Sequence, residues 1–323
     1  MTTYTQLREF KEHPRDLILL TADVILLILN PLLTNKFNMT EVKILEDVEY
    51  GKDHPAQKLD VYLPPADVAL GPVTVVWIHG GAWRSEDKAD YKALALKIVE
   101  KSNCPVVAVN YRLSPRKEAD GLAVRHPRHT LDVLDALIFI QEHGSSQLGI
   151  PQSALDNIYL VGHSCGAHII ASIILDTESE LYSIPTPSSL ITSVKGVFIS
   201  EGIYDIDLLL TKFPQYSDFI ENAFGKLSSY KDVSPAHYKA RGGCPIYWLV
   251  VHSKGDRLVN EQQAEEMWDH LWELYDDKSA HQYIEADWER LKLDHNEMLG
   301  DDEYPSMVAQ FIRETVAKRA VYS

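Results

Sequence analysis

Three groups of residues in this chain have the types and the settings that acyl-transfer chemistry needs. The first is Gly162-His163-Ser164-Cys165-Gly166, entered from the apolar run NIYLVG (157–162) and left through the helical AHIIASIIL. Two glycines permit a tight strand-to-helix turn. Such a turn projects the Ser164 hydroxyl from a sheet at a helix N-terminus, where backbone N–H groups face a developing anion. The second group is His79-Gly80-Gly81-Ala82-Trp83, closing the run VTVVWI. Glycine lets the main chain come close to a substrate carbonyl, so the N–H groups of Gly80, Gly81 and Cys165 are expected to converge as an oxyanion hole. The third is an acid and an imidazole that follow the serine in chain order: Asp256 in HSKGDRLVN and His295 in LDHNEM, each in a loop beyond an apolar run. Asp205 and Glu201 compete for the acid, and His252 and His281 for the imidazole. Asp205 precedes an aromatic insertion, His252 precedes Asp256, and His281 begins a run instead of following one. The expected triad is therefore Ser164, Asp256 and His295. Such a site needs neither a metal nor an organic cofactor.

Several elements must hold these groups. Val42 to Tyr50 and Lys58 to Leu63 read as a hairpin at a sheet edge, with GKDHPAQ between them. Six runs without alternation follow: VTVVWI (73–78), PVVAVNY (105–111), NIYLVG (157–162), VKGVFIS (194–200), PIYWLVV (245–251) and HQYIEA (281–286). Unbroken β-branched runs fit strands buried on both faces of a parallel sheet. Between them lie helical stretches. In NEQQAEEMWDHLWEL, Ala264, Met267, Leu271 and Leu274 share a face, and similar stripes occur in 127–143 and at Met307, Phe311 and Val316. The pattern predicts an α/β sandwich of about eight mostly parallel strands with helices on both faces, spanning 41–323. The stretch 203–243 interrupts the layers with Tyr204, Phe213, Tyr216, Phe219, Phe224, Tyr230 and Tyr238, and is expected to form a lid-like insertion or a pocket wall.

Composition narrows the partners. The chain has 323 residues, 31 Lys+Arg against 47 Asp+Glu, and a net charge of -16, which would repel a phosphate backbone. A small molecule, not nucleic acid, is the expected partner. The three cysteines, Cys104, Cys165 and Cys244, show neither a disulfide framework nor a zinc spacing, and point to a reducing, cytoplasmic setting. Asn38-Met39-Thr40 matches a glycosylation sequon, a short pattern that the cysteines outweigh. Residues 1–40 form a separate segment whose core, LILLTADVILLILNPLL (17–33), is strongly apolar but is broken by Asp23, Asn30 and Pro31. It falls short of the ~20 apolar residues of a bilayer span, and Asp23 would be costly in hydrocarbon. A helix packed on the enzyme body is expected; peripheral membrane association through 17–33 is the competing reading. Sequence leaves open whether the chain forms a homodimer.

The segments IHGGAW, VNYRLSP, RHPRHTLDV, LVGHSCGAH, EGIYDI, LLTKFPQYSDFIENAFG, HSKGD and LDHNEM resemble the fungal kynurenine formamidase family of α/β-hydrolases, within the hormone-sensitive-lipase-like esterases. The resemblance runs from about residue 42 to the C-terminus. It implies the α/β-hydrolase fold and the hydrolysis of N-formyl-L-kynurenine to L-kynurenine and formate, a step of tryptophan catabolism, through a formyl-enzyme on Ser164. The formyl group is the smallest acyl group, so selectivity should reside in a leaving-group pocket, where Trp83 and Tyr204 are expected to stack on an aniline ring. A carboxylesterase of the same fold, acting on short-chain or lipid esters, is the rival reading. A non-catalytic hydrolase-fold binding protein is a further one, disfavoured by the intact triad.

Overall fold

The most apolar, β-branched runs occupy the middle of a single sheet. A computed structural model describes residues 41–116, 123–242, 245–275 and 281–322. The strands are β1 (Lys43–Glu49), β2 (Lys58–Leu63), β3 (Thr74–Ile78), β4 (Val106–Val109), β5 (Ile158–His163), β6 (Val194–Ser200), β7 (Tyr247–Val251) and β8 (Ile284–Asp287). They lie in the order β1-β2-β4-β3-β5-β6-β7-β8. Within this sheet only the β1/β2 and β2/β4 pairs are antiparallel and every other described neighbour is parallel; a separate antiparallel pair joins Leu175–Asp176 to Lys239–Ala240. Every residue of β3, β4 and β5 is buried, whereas β1, at the edge of the sheet, has only exposed and half-buried residues. The eight-stranded, mostly parallel sheet is the one expected. The last strand starts three residues later than the sequence suggests, because Ile284 is the first of its residues to pair with β7.

The longer helices among the described residues are α1 (Lys92–Ser102), α2 (Arg128–His143), α3 (Cys165–Ile174), α4 (Ile206–Lys212), α5 (Ser217–Phe224), α6 (Gln262–Leu274) and α7 (Glu303–Tyr322). α1 packs with α7, and α2 with α3. α6 buries Ala264, Met267 and Leu271 along one stripe, as its 3.6-residue period requires. The stretch 203–242 contains α4, α5, short 3-10 turns at Pro214–Tyr216, Lys231–Val233 and Pro235–His237, and the two-residue strand Lys239–Ala240.

The strand order fixes where a ligand can sit. Chain connectivity runs outward in opposite directions from β3, to β4 on one side and to β5 on the other. In open parallel sheets the crevice beyond the strand ends at such a reversal is where ligands bind. His79 and Gly80 follow β3, and Ser164 follows β5, so both expected chemical loops meet at this point. Among the described residues no helix is long and apolar enough to cross a membrane. The expectations for residues 1–40, the 17–33 segment and Cys244 fall outside the described residues.

Candidate active site

Ser164 joins β5 to α3 with φ 55° and ψ -124°, a conformation that L-residues seldom adopt. Serine is a favoured helix cap, yet here its side chain makes no capping bond, so the hydroxyl stays available for other chemistry. The turn is possible because Gly166 lies against the end of β3: a Cβ there would come within 2.2 Å of the Ile78 carbonyl oxygen. The Ser164 N–H donates to the Ser200 carbonyl at 2.9 Å, tying the turn to β6.

Asp256 and His295 come from different loops and meet. His295 Nδ1 is 2.7 Å from Asp256 Oδ2, and Asp256 Oδ1 accepts the N–H groups of Leu258 at 2.7 Å and Val259 at 3.0 Å. Burial would raise the Asp256 carboxyl, but hydrogen bonds from His295 and from Glu201 outweigh it and hold the group well below the usual carboxylate range. With its proton on Nδ1, the imidazole of His295 offers Nε2 as the basic nitrogen. Ser164 and His295 border the same cavity of about 290 Å³. The structure thus places a hydroxyl and an imidazole on one cavity, with an ionised acid bound to the imidazole from behind.

The glycine loop is pinned from beneath. Gly81 has φ +94°, and Ala82 and Trp83 also lie in the left-handed region, at 52° and 57°. A Cβ on Gly81 would strike the Ser85 carbonyl oxygen at 2.1 Å, so glycine is required both by conformation and by space. The Tyr111 hydroxyl donates to the carbonyls of His79 at 2.9 Å and Gly80 at 3.0 Å, and its ring stacks on His79 at 4.5 Å. The Trp83 N–H donates to Cys165 Sγ at 3.2 Å. These contacts turn the loop's carbonyls inward. The Gly80, Gly81 and Cys165 N–H groups have no hydrogen bond to another described residue. Burial pushes the Cys165 thiol up to about 12, so it stays neutral beside the serine.

The two expected aromatic partners sit elsewhere than the sequence suggests. Trp83 is fully buried, its ring 4.9 Å from Phe224 and 5.1 Å from His168, and Tyr204 is likewise fully buried; neither borders the cavity. At Trp83 the left-handed backbone turns the indole into the core behind the loop. The rings that do border the cavity are Tyr216 and Phe219, from the 203–242 stretch, beside Arg84, Arg116 and Glu86. Arg84 is engaged by Asp218 at 2.7 Å and lies 5.3 Å from the Phe219 ring centre.

The rival residues have other places. Asp205 caps α4 by accepting the Leu208 N–H and pairs with His237 at 2.9 Å, while His281 meets the edge of Trp272 at 4.5 Å. Glu201 and His252 are different: both lie against Asp256, with His252 Nδ1 2.9 Å from Glu201 Oε2. His163 packs 4.5 Å from His295 and touches Asn296 at 3.3 Å; burial and the neighbouring His295 keep it neutral.

An eight-stranded, mostly parallel sheet of this connectivity, with a serine turn, an Asp–His pair and a glycine loop at its switch point, defines a hydrolase of the α/β-hydrolase fold. Comparison with known proteins narrows this. Residues 59–271 match the BD-FAE family model. The kynurenine formamidase of Meyerozyma guilliermondii is 31% identical over 241 residues, 72% of this chain and 82% of that one, and that of Eremothecium gossypii is 29% identical over 60% and 77%. The chain belongs to the BD-FAE family and, within it, to the kynurenine formamidases. Esterase B from Lactobacillus rhamnosis superposes with a TM-score of 0.66 over 94% of this chain and 96% of its own, at 15% identity, which speaks for the fold alone.

Proposed function

We propose that this protein hydrolyses N-formyl-L-kynurenine to L-kynurenine and formate, with Ser164, His295 and Asp256 as nucleophile, general base and orienting acid. His295 takes the Ser164 proton as Oγ attacks the formyl carbon. The oxyanion is received by the N–H groups of Gly80, Gly81 and Cys165, and the imidazolium then protonates the departing aryl amine. Water, deprotonated by the same imidazole, attacks the formyl ester; the ester bond breaks, formate leaves and the proton returns to Ser164.

The observation that carries this reading is the wall beside Ser164. Tyr216 and Phe219 give aromatic faces for an aniline ring, and Arg116 gives a cation for the carboxylate at the amino-acid end. Arg84 is already paired with Asp218, whereas among the described residues Arg116 has no ion pair. A cavity of about 290 Å³ suits one ring with a short polar chain. The short helices of 203–242 act on this reading as a pocket wall and lid. The free thiols of Cys104 and Cys165 support a reducing, cytoplasmic setting. A probable carboxylic ester hydrolase of Mycobacterium tuberculosis, 29% identical over 70% of this chain, favours a second reading: cleavage of carboxylic esters by the same three residues.

The test is a comparison of kcat/KM for purified protein on N-formyl-L-kynurenine and on p-nitrophenyl esters of several chain lengths. Formylkynurenine should be preferred, although an ester is chemically easier to cleave, because only the kynurenine group realises the aromatic and charged contacts. A preference for long-chain esters would favour the second reading.

A further inference from the structure

A second acid stands behind the triad. Glu201 directly follows β6, as the Asp256 loop follows the neighbouring β7, and its side chain is fully buried. Glu201 Oε1 accepts the Ser253 N–H at 2.6 Å. Its Oε2 lies 2.9 Å from His252 Nδ1, off the axis of a straight hydrogen bond. One oxygen each of Glu201 and Asp256 and one nitrogen of His252 fall within 4.8 Å of one another.

Two carboxyl groups this close in a dry site cannot both ionise. Asp256 has the stronger claim to the charge, since it already accepts from His295 and from two backbone N–H groups. The proton therefore belongs on Glu201. We propose that Glu201 is a positioning residue of the triad: its carboxyl O–H donates to Asp256 and, braced by Ser253 and His252, fixes the carboxylate that orients His295. The proposal rests on the reading of Ser164, Asp256 and His295 as the triad.

Two consequences follow from this placement. With a fourth donor, Asp256 has no oxygen lone pair free to draw it into another rotamer. The same donor also takes the place of a water that the carboxylate would have in solution, so its charge is tolerated in a site where its side chain is fully buried. The groups facing Glu201 are Asp256, His252, Asp294 and the phenols of Tyr204 and Tyr304, with His295 beyond Asp256. Burial keeps His252 neutral, and the nearby Asp256 charge adds to burial in holding the proton on Glu201.

The test uses the full chain with p-nitrophenyl acetate, the rate of Ser164 labelling by a fluorophosphonate, and the pH profile of kcat/KM, with melting temperature as a check on folding. Glu201→Ala should lower kcat and the labelling rate about 10- to 100-fold, the effect of losing one buried hydrogen bond to a charged group. KM should change little. Glu201→Gln restores a neutral donor of the same shape. It should recover most of the lost rate and leave the acid limb at its wild-type position, because one neutral group replaces another. Wild-type rates in Glu201→Ala would overturn the proposal. So would a Glu201→Gln profile whose acid limb lies below the wild-type one, because that shift means an ionised Glu201 has been neutralised. If Glu201→Ala does not fold, the Glu201→Gln profile decides alone. Ser164→Ala separates the two levels: full activity there would overturn the triad and this proposal together, whereas a dead Ser164→Ala beside an unaffected Glu201→Ala overturns the proposal alone.

Discussion

Replacing Trp83 by alanine should damage the fold more than it damages substrate choice. The indole is fully buried and packs on Phe224 at 4.9 Å and His168 at 5.1 Å, with Phe219 at 6.5 Å. Removing a buried tryptophan leaves a cavity and costs about 3–5 kcal/mol. That is a large share of the roughly 5–15 kcal/mol by which native proteins are stable. At about 2–4 °C per kcal/mol, the melting temperature should fall on the order of 10 °C. The Trp83 N–H that donates to Cys165 belongs to the main chain and survives the substitution, so the glycine loop should keep its anchor once the protein is folded. Thermal unfolding by circular dichroism would give the stability change. Assays at a temperature where the variant is fully folded should show kcat/KM on formylkynurenine and on p-nitrophenyl acetate falling by the same factor. A melting temperature within about 2 °C of wild type, together with a loss confined to formylkynurenine, would refute this reasoning and put the indole in the substrate pocket.

Tyr216→Ala, which removes a half-buried ring that does border the cavity, should lower kcat/KM on formylkynurenine about 2- to 12-fold, equivalent to ~0.5–1.5 kcal/mol of aromatic contact, with a smaller loss on the acetate ester. Arg116→Ala should raise KM for formylkynurenine and leave that for a neutral aryl formamide unchanged; parallel changes would remove Arg116 from carboxylate recognition. Asp256→Asn should lower kcat by about 10⁴-fold through the wrong imidazole tautomer, and the same loss in Asp205→Asn instead would mean the acid has been misassigned. Acid should destabilise the protein early. His79, His129 and His168 are held by burial at about 4, 3 and 4, and His126 and His163 well below their ordinary value. For a depressed group the unfolded chain binds the proton first, so stability is intact above about 6.5 and is lost progressively as pH falls toward 3. Melting temperatures that stay flat between pH 7 and pH 4 would contradict this.

The turn at Ser164 was legible because a glycine-flanked serine stands between an apolar strand and an apolar helix, and the strands were legible because runs such as VTVVWI must be buried on both faces. Side-chain direction was not legible in the same way. Trp83 stands two residues from Gly81, yet its left-handed backbone sends the ring into the core, and no periodicity announces a positive φ at a tryptophan. Tyr216 and Phe219 were visible as members of an aromatic stretch, but which of its seven rings reach the serine depends on how short helices pack over the sheet. Glu201 and His252 looked like competitors of Asp256 and His295. Only the adjacency of β6 and β7 turns them into neighbours of Asp256, and that adjacency is a property of strand order, which lies beyond any local run of residues. Tyr111 carried no signal at all: a tyrosine that closes an apolar run gives no hint that its hydroxyl holds two carbonyls of a distant loop.

The burial of Cys165 also makes it a reporter. Its thiol and that of Cys104 are solvent-inaccessible, and burial pushes them up to about 12 and about 11, so the reactive thiolate is scarce as well as hidden. In a Cys244→Ser background, alkylation by iodoacetamide can proceed only when the structure opens. The labelling rate of Cys165, resolved by peptide mass spectrometry, then clocks the opening of the serine turn itself, while that of Cys104, in the loop between α1 and β4, clocks a different part of the molecule. A competitive ligand that slows labelling at Cys165 and leaves Cys104 untouched would be seen to stiffen the turn without any turnover being measured.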